Sequence, residues 1–109
     1  LSVTHDVAPE ARRCAAGVPA IGTLLSCTVG TPGSAAIRDG GHARWLVDGL
    51  VQEVRRLALA RGASRVHVFA AAPVSIAFLL GQQSAALGPV TMYEYDFGRT
   101  KTYRPAMAT

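Results

Sequence analysis

The sequence predicts an α/β fold, with a mostly parallel sheet, flanking helices and an antiparallel pair of strands at the C-terminal end. Short β-branched runs alternate with segments whose apolar residues recur at helical spacing, which is typical of strand–helix–strand units. Strands joined through helices run parallel with right-handed crossovers. A short turn before the last strand favours an antiparallel closing pair. The predicted architecture is therefore Rossmann-like.

The first half of the chain carries two strands and two helices. The predicted elements are a strand at 1–5, a helix at 9–16, a strand at 23–29, a loop at 30–41 and a helix at 42–61. Gly17 and Gly62 are placed to end the two helices. The strand at 23–29 is apolar throughout, which predicts that both of its faces are covered. In the helix at 42–61 one face is apolar and the other polar, as in an amphipathic crossover helix.

The second half contains the most informative junction, where a strand at 65–71 leads directly into a helix at 74–87. Pro73 suits the first position of this helix. The helix is apolar nearly all round, so we expect the sheet to cover one side and another surface to cover the other. A strand at 90–96 and an edge strand at 103–108 follow, and Pro105 is tolerable in an edge strand.

Ligands of open α/β sheets bind beyond the carboxyl ends of the strands, which selects the loops at 4–8, 30–34 and 70–75. Small residues in the third loop let a ligand approach the backbone. The free N–H groups and the dipole of the following helix favour an anion there. The predicted ligand-binding residues are Thr4, His5, Asp6, Thr31, Ala70, Ala71, Ala72, Pro73 and Ser75.

Several of these polar residues have a structural alternative. Asp6 is equally suited to capping the helix at 9–16, and Ser75 to bonding its own backbone. His67 lies mid-strand, as a core or interface histidine would, while His42 beside a helix start is expected to be solvated. Tyr93 and Tyr95 share one face of their strand, where a tyrosine either stacks on a nucleobase or bonds through its hydroxyl within the fold.

The net charge is +4 and its positive part is almost all arginine, which suits phosphate recognition, although a GC-rich genome would also explain the arginines. The arginines are dispersed, and no basic stripe for duplex DNA is present. No apolar run is long enough to span a membrane. Cys14 and Cys27 lack metal-ligand spacing and are expected to be free thiols in a reducing cytoplasm.

The sequence contains no nucleophile elbow, no P-loop and no GxGxxG fingerprint. No Cys, His and Asp set has the spacing of a triad or a metal site. These absences indicate a sensor portion rather than an enzyme, with no catalytic residue, metal or cofactor. One enzymatic alternative stays open, in which His5 or His67 together with Ser75 assists cleavage of a bound ligand.

The order HVFAAAPVSIAFLLGQ, then YEYD, then YRP, with LSVTHDV at the start, resembles the C-terminal half of a SAVED domain. SAVED domains consist of two CARF-like halves. They sense cyclic oligonucleotides in bacterial CBASS and type III CRISPR antiviral defence, and each is fused to an effector. The resemblance covers most of the chain.

The resemblance implies that residues 1–109 are one sensor half, preceded in a longer chain by an N-terminal SAVED half and an effector domain. It implies a cyclic oligonucleotide as ligand, of the cyclic oligoadenylate kind, and a homo-oligomer that forms on binding. Two other readings remain open. The chain is also consistent with a fragment of a Rossmann-like nucleotide-using enzyme and with a structural interface domain without a small ligand.

Overall fold

The computed structural model describes all 109 residues and combines three α-helices with a three-stranded sheet. The elements are α1 (Ala8–Ala16), α2 (Gly40–Arg61), β1 (Val66–Phe69), α3 (Val74–Gln82), a 3-10 helix (Ser84–Leu87), β2 (Val90–Tyr95) and β3 (Tyr103–Ala108). The predicted mixed α/β class is confirmed.

The sheet has the order β1-β2-β3, with a parallel β1–β2 pair and an antiparallel β2–β3 pair. A single residue near the chain start, Ser2, extends this parallel arrangement beyond β1, because it bridges both Ala71 and Thr28 in parallel. Pro105 lies in β3 opposite Tyr93, next to an irregularity in the β2–β3 register. The edge position predicted for this proline is confirmed.

The predicted strands at 1–5 and 23–29 are wrong as continuous strands, since each contributes only an isolated bridge. In the second case Thr28 bridges Ser2, and the residues before it form no ladder. Leu24 is 40% exposed, and the expectation of two covered faces is also wrong.

The long helix α2 forms because its own residues satisfy both of its ends. Asp39 at the N-cap accepts a hydrogen bond from the His42 N–H at 2.7 Å. At the other end Gly62 adopts φ 62°, and its N–H bonds back to carbonyls of the last turn. The predicted helix and its glycine cap are confirmed.

The helix after β1 differs from its prediction at both ends. Pro73 is the N-cap of α3 and not its first helical residue, and its carbonyl accepts from the N–H groups of Ile76 and Ala77. The helix stops at Gln82 instead of running to 87. The N–H of Gln83 bonds to Leu80, three residues back, and this tighter pattern leads into the 3-10 turn.

Two apolar clusters lie on opposite faces of the sheet, because successive side chains of a strand alternate between its faces. α1 packs on one face and α2 with α3 on the other. We name them the aromatic cluster (Val7, Ala11, Phe69, Ala71, Tyr93, Tyr103) and the aliphatic cluster (Ala43, Val47, Val51, Ile76, Leu80).

Candidate ligand-binding site at the strand ends

The three loops selected from the sequence lie together in the structure. The N–H groups of Val3 and Thr4 both donate to the carbonyl of Ala71, at 2.9 and 3.0 Å. The N–H of Gly33 donates to the carbonyl of Val3 at 3.0 Å. These bonds hold the loops at 4–8, 30–34 and 70–75 along one edge of the molecule, which we call the strand-end edge. Several polar groups of these loops remain open to solvent.

The alanines of the third loop are less open than the sequence suggests. Ala71 is buried in the aromatic cluster, and its N–H donates to the carbonyl of Leu1. Its methyl group therefore serves the core, and a ligand would meet the neighbouring residues instead. Ala70, Ala72 and Pro73 are half-buried, and Ala72 packs against the aliphatic cluster.

The start of α3 leaves backbone donors free at this edge. The first hydrogen bonds to the Pro73 carbonyl come from Ile76 and Ala77, so the N–H groups of Val74 and Ser75 have no partner within the helix. Both residues are exposed, and the first turn carries no acidic side chain. The Ser75 hydroxyl is also free, so the alternative in which it bonds its own backbone is not adopted.

The first loop contains one structural carboxylate and two open polar side chains. Asp6 Oδ1 accepts from the Ala8 N–H at 2.9 Å, and the Ser2 hydroxyl lies 3.4 Å from the same oxygen. Val7 is the N-cap of α1 and the helix has no side-chain cap, so Asp6 is not the predicted capping residue, although it bonds the N–H of the first helical residue. Thr4 Oγ1 and His5 Nδ1 are 3.3 Å apart near the surface, where they can exchange this contact for one with a ligand.

Thr31 borders a cavity of about 580 Å³ between its loop and α2. His42 and Trp45 also line it, with ring centroids 6.1 Å apart and planes inclined by 26°. His42 is half-buried and its Nδ1 accepts from the Arg38 N–H, so the expectation of a merely solvated ring is wrong. Sequence reasoning missed Trp45, although it is the chain's single tryptophan, one turn after His42.

A second cavity, of about 570 Å³, contains none of the predicted site residues. Its walls are mostly apolar and include Leu25, Val54 and Val66. The backbone nitrogen of Leu1 lies at its border and donates to the Phe69 carbonyl at 2.7 Å. The predicted site residues therefore lie outside this apolar cavity.

His67 and Tyr93 contact each other within the fold. For each residue this was one of the roles that the sequence left open. His67 Nδ1 lies 3.1 Å from the Tyr93 hydroxyl, and the Tyr93 ring stacks on Phe69 at 4.3 Å. Burial, helped by the charge of Arg65, lowers the pKa of His67. Tyr95 packs edge-on against Tyr103. Tyr93 is buried and engaged inside the fold, so it offers no free face to a nucleobase.

The thiols and the other titratable groups form no reactive or metal-binding arrangement. Cys14 and Cys27 are free and half-buried, and burial raises the pKa of both thiols. No group of three or more His, Cys, Asp or Glu side chains is arranged to hold a metal ion. No helix combines the length and apolarity needed to cross a membrane.

Comparison with known proteins places this α/β domain in the class of sensor domains. The family model described as "SMODS-associated and fused to various effectors sensor domain" matches residues 1–108. The chain therefore belongs to the SAVED family, which confirms the family resemblance of the sequence. CD-NTase-associated protein 4 of Enterobacter hormaechei subsp. hoffmannii (strain UCI 50) is 33% identical over 110 residues, covering 97% of this chain. The chain spans 22% of that relative's length.

Proposed function

We propose that this chain is the C-terminal, CARF-like and Rossmann-like half of a CBASS sensor. It binds a cyclic oligonucleotide, of the cyclic oligoadenylate kind, at the strand-end edge. The observation that carries this proposal is the meeting of the three loops around the free N-terminal turn of α3, in a chain of the SAVED family. The sensor acts in the cytoplasm, without catalytic activity of its own and without metal or cofactor.

The ligand's phosphates bind at the start of α3. The unpartnered N–H groups of Val74 and Ser75 and the positive end of the helix dipole favour a negative charge there. The Ser75 hydroxyl can donate a further hydrogen bond. Since no carboxylate lies in the first turn, no fixed negative charge of the helix start opposes a phosphate.

The neighbouring loops supply hydrogen bonds to sugar and base. Thr4 and His5 offer a hydroxyl and an imidazole at the start of the first loop, and Thr31 offers a hydroxyl across the edge. A cyclic oligonucleotide has several phosphates and is wider than this edge. We therefore assign one wall of the site to this half and the other to the N-terminal SAVED half or to a second protomer.

The outer face of α3 supports contact with such a neighbour. Val74 and Phe78 expose most of their apolar side chains, with Phe78 65% exposed, while Ile76 and Leu80 of the same helix are buried. Ligand binding then favours the arrangement in which both walls close on the ligand, and a homo-oligomer and the fused effector respond to that arrangement.

The experiment is calorimetric titration with cyclic di-, tri- and tetranucleotides, and with mononucleotides for comparison. Ser75→Glu adds a negative charge beside the free N–H groups. It should weaken binding of a cyclic oligonucleotide about tenfold or more, while an acid in the first turn leaves the helix intact or favours it. Gln82→Glu makes the same change of charge at the exposed far end of α3 and serves as the control.

Binding of a cyclic oligonucleotide that Ser75→Glu weakens and Gln82→Glu leaves unchanged supports the proposal. Equal binding by both variants would remove the start of α3 from the site. Binding of mononucleotides alone would instead favour a nucleotide-using enzyme, and binding of nothing an interface domain.

A further inference from the structure

Trp45 is a large aromatic side chain that the fold leaves in solvent. It lies in the second turn of α2 and is 72% exposed, while its neighbours Ala43 and Val47 are buried in the aliphatic cluster. The indole contributes little to the core in this position. An exposed indole is a typical means of binding a flat partner, because its apolar face and its single N–H donor can both be used.

The ring stacked beside Trp45 is held in place by the loop before α2. His42 Nδ1 accepts a hydrogen bond from the Arg38 backbone N–H at 3.1 Å, and the His42 backbone N–H donates to Asp39 at 2.7 Å. With Nδ1 acting as acceptor, the neutral ring carries its proton on Nε2. His42 therefore offers a fixed imidazole beside the indole. We call this pair the His42–Trp45 platform.

The platform borders a cavity large enough for a small ligand. Its volume of about 580 Å³ falls within the range of roughly 300–1,000 Å³ that ligand sites occupy. Gly49 lies one helical turn after Trp45 on the same side of α2, and a Cβ atom placed there would meet nothing within 4 Å. The space beside the indole is therefore open to a planar group.

The polar lining of this cavity suits a nucleotide. Thr28 and Thr31 supply hydroxyl groups on the loop side, and the Arg38 guanidinium takes part in none of the chain's ion pairs. Glu53 also lines the cavity, but two short hydrogen bonds from Arg56 already satisfy its carboxylate. The uncommitted charge at this cavity is therefore the positive charge of Arg38.

We propose that the His42–Trp45 platform stacks a nucleobase of the bound cyclic oligonucleotide, with Arg38 facing an adjacent phosphate. This inference rests on the proposed function and adds a base subsite on the Thr31 side of the strand-end edge. Stacking on aromatic rings is available to every nucleobase, since each has a π-face. The subsite therefore contributes affinity, and base identity is read by other groups.

Trp45 is the one tryptophan of these 109 residues, so the fluorescence change that Trp45→Phe abolishes reports on the subsite. Cyclic triadenylate, chosen as the probe, is titrated into the protein while tryptophan fluorescence and binding heat are recorded on the same samples. We expect quenching that saturates together with the heat. Trp45→Ala should weaken binding about 5- to 100-fold, in keeping with the loss of one base–aromatic stack. Trp45→Phe should retain most of the affinity, because a phenyl ring also stacks.

Leu59→Ala is the matched control, because Leu59 is an apolar residue of the same helix that is 86% exposed and lies outside this cavity. It should bind the probe like the parent protein. Binding heat without a fluorescence change, or full affinity in Trp45→Ala, would overturn the subsite while the proposed function stands. A fluorescence change that depends on the protein concentration and not on the probe concentration would overturn the base subsite and indicate that Trp45 lies in a protein interface. If neither cyclic triadenylate nor any other cyclic oligonucleotide binds, the proposed function fails and the subsite with it.

Discussion

The two faces of the sheet are covered by different kinds of contact. On the aromatic side, side chains satisfy one another, with Phe69 stacked on Tyr93 at 4.3 Å and edge-on to Tyr103 at 5.2 Å. The Tyr93 hydroxyl meets His67, and the Cys14 thiol meets the Tyr103 carbonyl. On the aliphatic side, α2 and α3 bury one surface each and leave Trp45 and other apolar groups outside.

This difference separates stability from binding. The aromatic rings are held by internal contacts, so substitutions there should change the stability of the fold first. The helices of the aliphatic side have inner residues that stabilise the domain and outer residues that are available to ligands or to neighbouring domains. The following three predictions test that separation.

The largest effect is expected where the aromatic contacts meet. Phe69→Ala should lower the free energy of unfolding by about 3–5 kcal/mol, because it removes a buried ring and leaves a cavity. Urea unfolding of the parent and the variant measures the difference. Phe97→Ala is the control, since this ring is 77% exposed and its aromatic contact with Tyr95 is edge-on. A loss below about 1 kcal/mol for Phe69→Ala would mean that the aromatic cluster is not the stabilising core.

A smaller effect is expected on the aliphatic side. Ile76 is one of the most completely buried side chains, and Ile76→Val should cost about 0.5–1.5 kcal/mol by removal of one methylene group. Phe78→Ala, two residues further along the exposed side of α3, should change stability by no more than about 0.5 kcal/mol. Both variants are measured without ligand, and equal losses would show that the outer surface of α3 is already packed before a ligand binds, which contradicts the division between buried and available residues.

The smallest effect concerns pH. Burial holds the pKa of His67 below its ordinary value of 6.5, so the unfolded chain takes up a proton in this range before the folded protein does. Stability should therefore be at its full level above pH 6.5 and fall as the pH is lowered from there towards the folded pKa.

Thermal unfolding from pH 8 to pH 5 measures this slope. His67→Gln keeps a polar partner for the Tyr93 hydroxyl and should lose the His67 part of the slope. The other titratable groups are the same in both proteins, so the difference between the two profiles isolates His67. Identical pH profiles for parent and variant would contradict the prediction.

The sequence was sufficient to predict an element wherever residues close together in the chain make the contacts that stabilise it. The end of α2 follows from the apolar spacing and Gly62, while the helix begins two residues before the predicted start, after the N-cap Asp39 that the sequence analysis did not single out. β3 lies where it was predicted because a turn returns it directly onto β2. The loops of the candidate site could be predicted for a related reason, since the ends of parallel strands meet at one edge.

Tertiary structure decided what depends on partners distant in the sequence. The segment at 23–29 has the composition of a strand, but composition does not set pairing, and the segment makes one bridge, from Thr28 to Ser2. Whether Tyr93 faces a ligand or the core depends on Phe69 and His67, and this contact forms only when β1 and β2 pair. Trp45 becomes a candidate ligand contact because the 27–31 segment lies across from α2. Helical spacing and caps are local properties of a sequence, whereas ladders, buried faces and cavities are properties of segments brought together by folding.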